Sequence, residues 1–183
     1  MFCRKFIAIL AVSLFLCGAV RAAGPRTIAH PFPAPPFSHV MGASGYIFQG
    51  TVTQVQWLKP KNPQDVATIQ ITFRVAQGIR GTQTGQMLSI KEWAGLWDSS
   101  DHYRVGQSVV LFLYRPSKLG LTSPVSGPVG EFVVGTDSFI GLTQQQQNSL
   151  SSDPAFGPAF GSKTSLSSRE FTNAIRHLAA GGR

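Results

Sequence analysis

Val105-Gly106-Gln107-Ser108-Val109-Val110-Leu111-Phe112-Leu113-Tyr114, stopped by Arg115-Pro116, is the run around which the remainder of the chain has to pack. Val109 to Tyr114 are consecutive apolar or aromatic residues. In a strand, Val109, Leu111 and Leu113 line one face, and Val110, Phe112 and Tyr114 the other. So short a run fits a strand covered on both faces better than a helix, which needs more length and a polar stripe. Pro116 ends it, because proline has no amide to give a central ladder.

The chain has 183 residues, 43% of them hydrophobic and 13% charged, enough apolar content for a buried core and too much for wholesale disorder. Nineteen glycines, twelve prolines and thirteen phenylalanines favour strands and turns over helices.

Residues 1–22 read as an export signal: Arg4 and Lys5, then an apolar run from Phe6 to Leu16 broken only by Ser13. Val20 and Ala22 suit the −3 and −1 positions of a cleavage site after Ala22; cleavage after Ala23 would put Arg21 at −3. An uncleaved anchor needs ~20 apolar residues, more than this run offers. A lipoprotein reading of Cys17 meets Leu16 where a small residue is expected. Processing removes Arg4, Lys5 and Arg21, so sixteen basic residues become thirteen against eight acidic, a net charge of +5. It also removes Cys3 and Cys17, both cysteines of the chain. The exported form then has no disulfide, no Cys-ligated zinc and no thiol nucleophile. Its expected location is periplasmic or extracellular.

Residues 23–44, with Pro25, Pro31, Pro33, Pro35 and Pro36, read as an extended Pro-rich arm in which a helix is forbidden. Tyr46 to Trp57 reads as a first strand. Its apolar phase switches from Tyr46, Phe48, Gly50 and Val52 to Val55 and Trp57, the mark of a bulge or bend. Ile69, Ile71, Phe73 and Val75 alternate with polar residues, giving a second strand with one wet face. Gly78-Ile79-Arg80-Gly81 is expected to turn the chain, and Met87 to Trp93 to form a third strand. Ser117 to Pro128 reads as a long loop. Phe132–Val134 and Phe139–Leu142 read as a closing hairpin. Residues 143–165 read as a flexible Gln/Ser/Gly-rich linker containing the near-repeat Ala155-Phe156-Gly157-Pro158-Ala159-Phe160-Gly161. Residues 166–183 carry a C-terminal helix, with a Ser167-x-x-Glu170 capping box and Phe171, Ile175 and Leu178 on one stripe.

Tyr46-x-Phe48-x-Gly50-x-Val52, the Ile69–Gly81 segment ending in Arg80-Gly81, and Tyr103-x-Val105-Gly106-x-x-Val109-x-x-Phe112-Leu113 follow a recognisable order. Over roughly Ser44 to Leu142 the chain resembles exported bacterial domains that share the barrel of the tissue inhibitors of metalloproteinases. That resemblance implies a mainly β, five-stranded OB-like Greek-key barrel over residues 45–142. The animal inhibitors chelate the protease zinc through a mature N-terminal cysteine. Here Ala23 or Gly24 would begin the mature chain, so no inhibitory residue carries over.

The densest chemistry lies in Asp98, Asp101 and His102, beside Trp93, Trp97 and Tyr103. Two carboxylates and an imidazole suit a metal or acid–base work. Ser99 and Ser100 between them make it equally an ordinary solvated loop, and the spacing matches no EF-hand loop or two-histidine zinc helix. There is no Gly-x-Ser-x-Gly elbow, and Gly157-x-x-x-Gly161-Ser162-Lys163-Thr164 departs from a phosphate-binding loop. Nucleic-acid binding is not expected: the basic residues occur singly, and an export signal separates the chain from cytoplasmic nucleic acid.

The sequence therefore points to an exported, non-catalytic β-barrel module, without cofactor, metal or membrane span after processing. Its expected ligand is an extracytoplasmic protein or an envelope glycan. The candidate binding residues are Trp93, Trp97, Asp98, Asp101, His102 and Tyr103, with the 117–128 loop beside them and the helix Ser168–Ala180 as a second contact. A protease-associated partner is the alternative, and a secreted hydrolase or metal binder using Asp98, Asp101 and His102 the third reading.

Overall fold

The computed structural model describes residues 33–60, 62, 65–97 and 103–181. The expected export signal, residues 23–32 of the Pro-rich arm, and Asp98, Asp101 and His102 lie outside the described residues.

The fold is mainly β. Strands β1 (Tyr46–Leu58), β2 (Thr68–Arg80), β3 (Met87–Trp93), β4 (Ser108–Leu113), β5 (Glu131–Val134), β6 (Phe139–Gly141) and β7 (Ser165–Ser167) form one sheet in the order β3-β2-β1-β4-β5-β6-β7. Every pairing in that order is antiparallel. The sheet has seven strands where the sequence suggests five. β6 answers the hairpin arm expected at Phe139–Leu142, whereas β7, three residues long, is too short to print an alternation.

The decisive run behaves as its composition demands. In β4, Val109, Leu111 and Leu113 join one buried cluster with Phe48, Val52, Ile69, Ile71 and Phe73. Val110 and Phe112 join a second cluster on the opposite face, with Phe37, Phe132, Leu150 and Phe171. Tyr114 departs from the expectation: the strand ends at Leu113, and Tyr114 is 41% exposed. Its amide bonds to Ser123 O in the following loop at 3.1 Å, which draws it off the ladder.

The bend expected in β1 is present. Its pairing with β2 slips at Ile47/Phe48, Gln49/Gly50 and Val52/Gln54. The last slip lets Val55 and Trp57 rejoin the face of Val52 despite their odd spacing, as a bulge must. The turn expected at Gly78–Gly81 comes later. Gly78 and Arg80 still pair with Phe48 and Ile47, and the chain reverses from Gly81, where φ is +68°. A Cβ at Gly81 would strike Gly45 O and the Tyr46 ring.

Two segments differ from their sequence reading. Helix α1 (Phe37–Ala43) occupies the end of the supposed extended arm. The last proline, Pro36, stands at its N-cap, where a missing amide costs nothing, and Phe37, Val40 and Met41 recur at helical spacing. Within the supposed flexible linker, α2 (Gln144–Ser151) is started by a complete capping box between Thr143 and Gln146. The single turn α3 (Gly157–Phe160) then buries Phe156 and Phe160. Helix α4 (Ser168–Gly181) follows the sequence reading, with Phe171 and Ile175 fully buried, but Leu178 is 41% exposed.

These helices cover one face of the sheet. Phe37 is the hub: its ring lies 5.0 Å from Phe112, 5.8 Å from Phe132, 4.8 Å from Phe156 and 5.7 Å from Phe171. Polar ties fix the same layer. Ser149 Oγ donates to Pro35 O at 2.6 Å, the Ser38 amide donates to Asp153 Oδ2, and Arg80 Nη1 donates to Met41 O at the end of α1. Among the described residues no helix is long and apolar enough to cross a membrane.

Candidate functional site

On the opposite face, β3 alternates as Met87-Leu88-Ser89-Ile90-Lys91-Glu92-Trp93. Directly paired residues share a face. Leu88, Ile90 and Glu92 stand against Phe73, Ile71 and Ile69 of β2, so all three point into the apolar cluster. A carboxyl has been placed where the pattern calls for an aliphatic side chain. Glu131 reaches the same face from β5, since it pairs with Leu111, a member of that cluster.

Glu92 is 3% exposed. The 3₁₀ turn Ala94–Trp97 folds Trp97 back, and its Nε1–H donates to Glu92 Oε2 at 2.9 Å. Glu92 Oε1 is buried with no hydrogen-bond partner, and so is the hydroxyl of Tyr103, itself 5% exposed. The Trp97 ring lies 5.7 Å from Tyr103 and 6.3 Å from Trp57. Glu131 is set by its backbone: Gln146 Nε2 donates to Glu131 O at 2.6 Å and to Pro128 O at 3.0 Å. The buried amide of α2 thereby links the helical layer to the strand that carries the second carboxyl.

Glu92 and Glu131 share the wall of a cleft of about 410 Å³ whose other sides include Leu96, Tyr114, Pro124 and Pro128. Burial pushes the Glu92 carboxyl up to about 7, against the opposing pull of the Trp97 N–H. Burial raises Glu131 to about 7 as well, with the Glu92 charge adding to it. Burial first, then the charges of Glu92 and Glu131, push the Tyr103 hydroxyl well above its ordinary range. Two carboxyls and a phenol thus feel one another. Near neutral pH this wall can hold protons as well as accept hydrogen bonds.

The structure brings together only part of the set expected from sequence. Trp97 and Tyr103 belong to the cleft's supporting wall. Trp93 pairs with Thr68, the position next to Glu92 on the strand, so it faces the other side and is 49% exposed. Asp98, Asp101 and His102 lie outside the described residues. Sequence reasoning passed over Glu92 and Glu131. The signal for Glu92 was present, a charge in phase with Leu88 and Ile90; Glu131 opens a strand of four residues, too short for a phase. Among the described residues no group of three or more His, Cys, Asp and Glu is arranged to hold a metal ion.

A second cleft of about 390 Å³, on the side of Lys59, Val66, Lys91 and Leu119, is lined by exposed and half-buried residues and contains no buried polar group. Comparison of the chain with protein-family models, curated proteins and solved structures finds no match.

Proposed function

We propose that the protein is an exported, non-catalytic binding module on an OB-like barrel, which engages an extracytoplasmic protein or envelope glycan at the Glu92–Glu131 cleft. One observation carries the reading. A carboxyl oxygen sits buried and unpartnered at the wall of an apolar cleft, where an unmet hydrogen bond costs about 1–3 kcal/mol unless something supplies it. Few convergent polar groups among apolar walls are the ordinary make-up of a ligand pocket.

The barrel is supported by the strand segment that follows β4. Leu113 bridges Pro124, and Leu121 bridges Lys91 of β3 in parallel, with the Thr122 amide donating to Lys91 O at 2.9 Å. Those bonds link β4 to the far edge of the sheet, and the cleft lies at that seam. Export rests on Arg4, Lys5 and the apolar run Phe6–Leu16; N-terminal sequencing of the protein from the culture or periplasm should begin at Ala23.

The test of the binding reading is capture from an envelope extract by the native protein and by Glu92→Gln/Glu131→Gln. The native protein should retain a ligand that the double variant loses while melting no lower than the native protein. Equal retention by both would place the binding surface elsewhere. A second reading, hydrolysis, draws on the same two carboxyls, since groups held near 7 suit general acid–base work. It requires turnover of an envelope polymer that either single substitution abolishes.

A further inference from the structure

The cleft sets two carboxyls, with the hydroxyls of Ser123 and Ser126, among mainly apolar walls, and this composition discriminates among ligands. Glu92 Oε1, unpartnered and buried, and the Glu131 carboxyl are its acidic groups. Leu96, Tyr114, Pro124 and Pro128 supply the walls. The chain carries sixteen basic residues against eight acidic ones. Yet burial and the Trp97 N–H govern Glu92, burial and the Glu92 charge govern Glu131, and the neighbouring Lys91 points to the opposite face. A sugar ring offers hydroxyls around its whole rim and would leave most of them against apolar walls. A hard cation wants six or more oxygen ligands, more than two carboxyls provide. A lysine or arginine side chain has the matching division: an apolar stem, and a charged tip that donates several hydrogen bonds.

We infer that the Glu92–Glu131 cleft receives a lysine or arginine side chain of a protein partner, its ammonium or guanidinium donating to Glu92 Oε1 and the Glu131 carboxyl. The inference rests on the cleft being the binding site and names its ligand. Tyr114 flanks the stem at the mouth, where an aromatic face also attracts the cation. The titratable groups lining the cleft are Glu92 from β3, Glu131 from β5 and Tyr114 after β4, while the buried Tyr103 hydroxyl feels both carboxyls without lining it. Because the carboxyls hold protons near neutrality, the cation displaces them, and binding releases protons to solution.

The Trp97 indole N–H, bonded to Glu92, reports occupancy directly. Its resonance would be followed in the ¹⁵N-labelled protein, assigned with Trp97→Phe, during titration with acetyl-Gly-Lys-Gly-amide, the arginine analogue and the norleucine analogue. At pH 8 the lysine and arginine peptides should shift it saturably, with the norleucine peptide at least ~10-fold weaker. Affinity for the cationic peptides should fall by more than tenfold, up to about a hundredfold, per pH unit well below 7 as two protons compete. Glu92→Gln/Glu131→Gln should abolish the shift; if that variant does not fold, the norleucine comparison and the pH series on the native protein decide. Equal binding of norleucine, a shift produced by calcium ions instead, or no response to any peptide overturns the inference. If the peptides fail while the double variant still loses its envelope ligand, the cleft stands as a site for another chemistry. If both fail, the binding reading falls with it.

Discussion

At Glu92 one carboxyl oxygen rests on the Trp97 indole and the other meets nothing, so the side chain is comfortable only while it keeps a proton. Its carboxyl releases that proton near 4.5 in the unfolded chain and near 7 in the folded one. Between those values the folded state binds more protons, so stability falls as pH rises through that window and then levels off. The span from 4.5 to about 7 corresponds to about 3 kcal/mol. Glu92→Gln, which cannot ionise, should therefore melt higher than the native protein at pH 8 and close to it at pH 4.5. An equal drop at both pH values would mean that the amide fits the site poorly and that charge is not the issue. Asp153 has the opposite sign. Burial alone would raise it, but the amides of Ser38, Ala155 and Phe156 hold it below the usual carboxylate range. Its contribution is present above the unfolded value and lost as pH falls through the lowered one. Asp153→Ala should cost about 1–3 kcal/mol in urea melts at pH 7, for it leaves several buried donors without an acceptor. Neither role is visible in the residue itself. Glu92 was legible from its phase with Leu88 and Ile90; Asp153 has two donors close by, Ala155 and Phe156, but the third, Ser38, lies 115 positions away.

Among the elements, those with a strong period were readable, and those held by distant contacts were not. β2 and β3 fill one face at every second residue, and the phase change in β1 announced its bulge before any pairing was known. Helix α1 was hidden by the prolines before it, although Phe37, Val40 and Met41 already carried a helical spacing. Helix α2 is four glutamines and little else, and its single fully buried apolar residue, Leu150, offers no stripe. What orders it is the capping box and the ties of Gln146 and Ser149 to other elements. Phe37→Ala should remove about 3–5 kcal/mol of stability, read from denaturant midpoints, because four rings lose their common neighbour at once. Gly81→Ala should destabilise through two effects: a positive φ that alanine resists, and a Cβ driven against Gly45 O and Tyr46. A folded, fully stable Gly81→Ala protein would show that the β2–β3 turn can move.

For the whole molecule, the prediction with most reach concerns the two-sided cover of β4. Amide exchange should be slowest from Val109 to Leu113 and in the half of β1 paired with it, Tyr46 to Thr51, which lie between two buried clusters. β6 and β7, three residues each at one edge, should exchange faster. Uniform protection across the sheet would argue against a central strand that anchors both layers. That anchoring was legible because six apolar residues in a row leave no wet side. The number of strands was not, since sheet edges as short as β7 are fixed by what they dock beside. One feature has a temporal side. The ring of Phe37, near the start of the described chain, packs on that of Phe171, near its end. During synthesis Phe37 can meet Phe112, Phe132 and Phe156 in turn, but the layer that encloses it is complete only once α4 has also emerged from the ribosome.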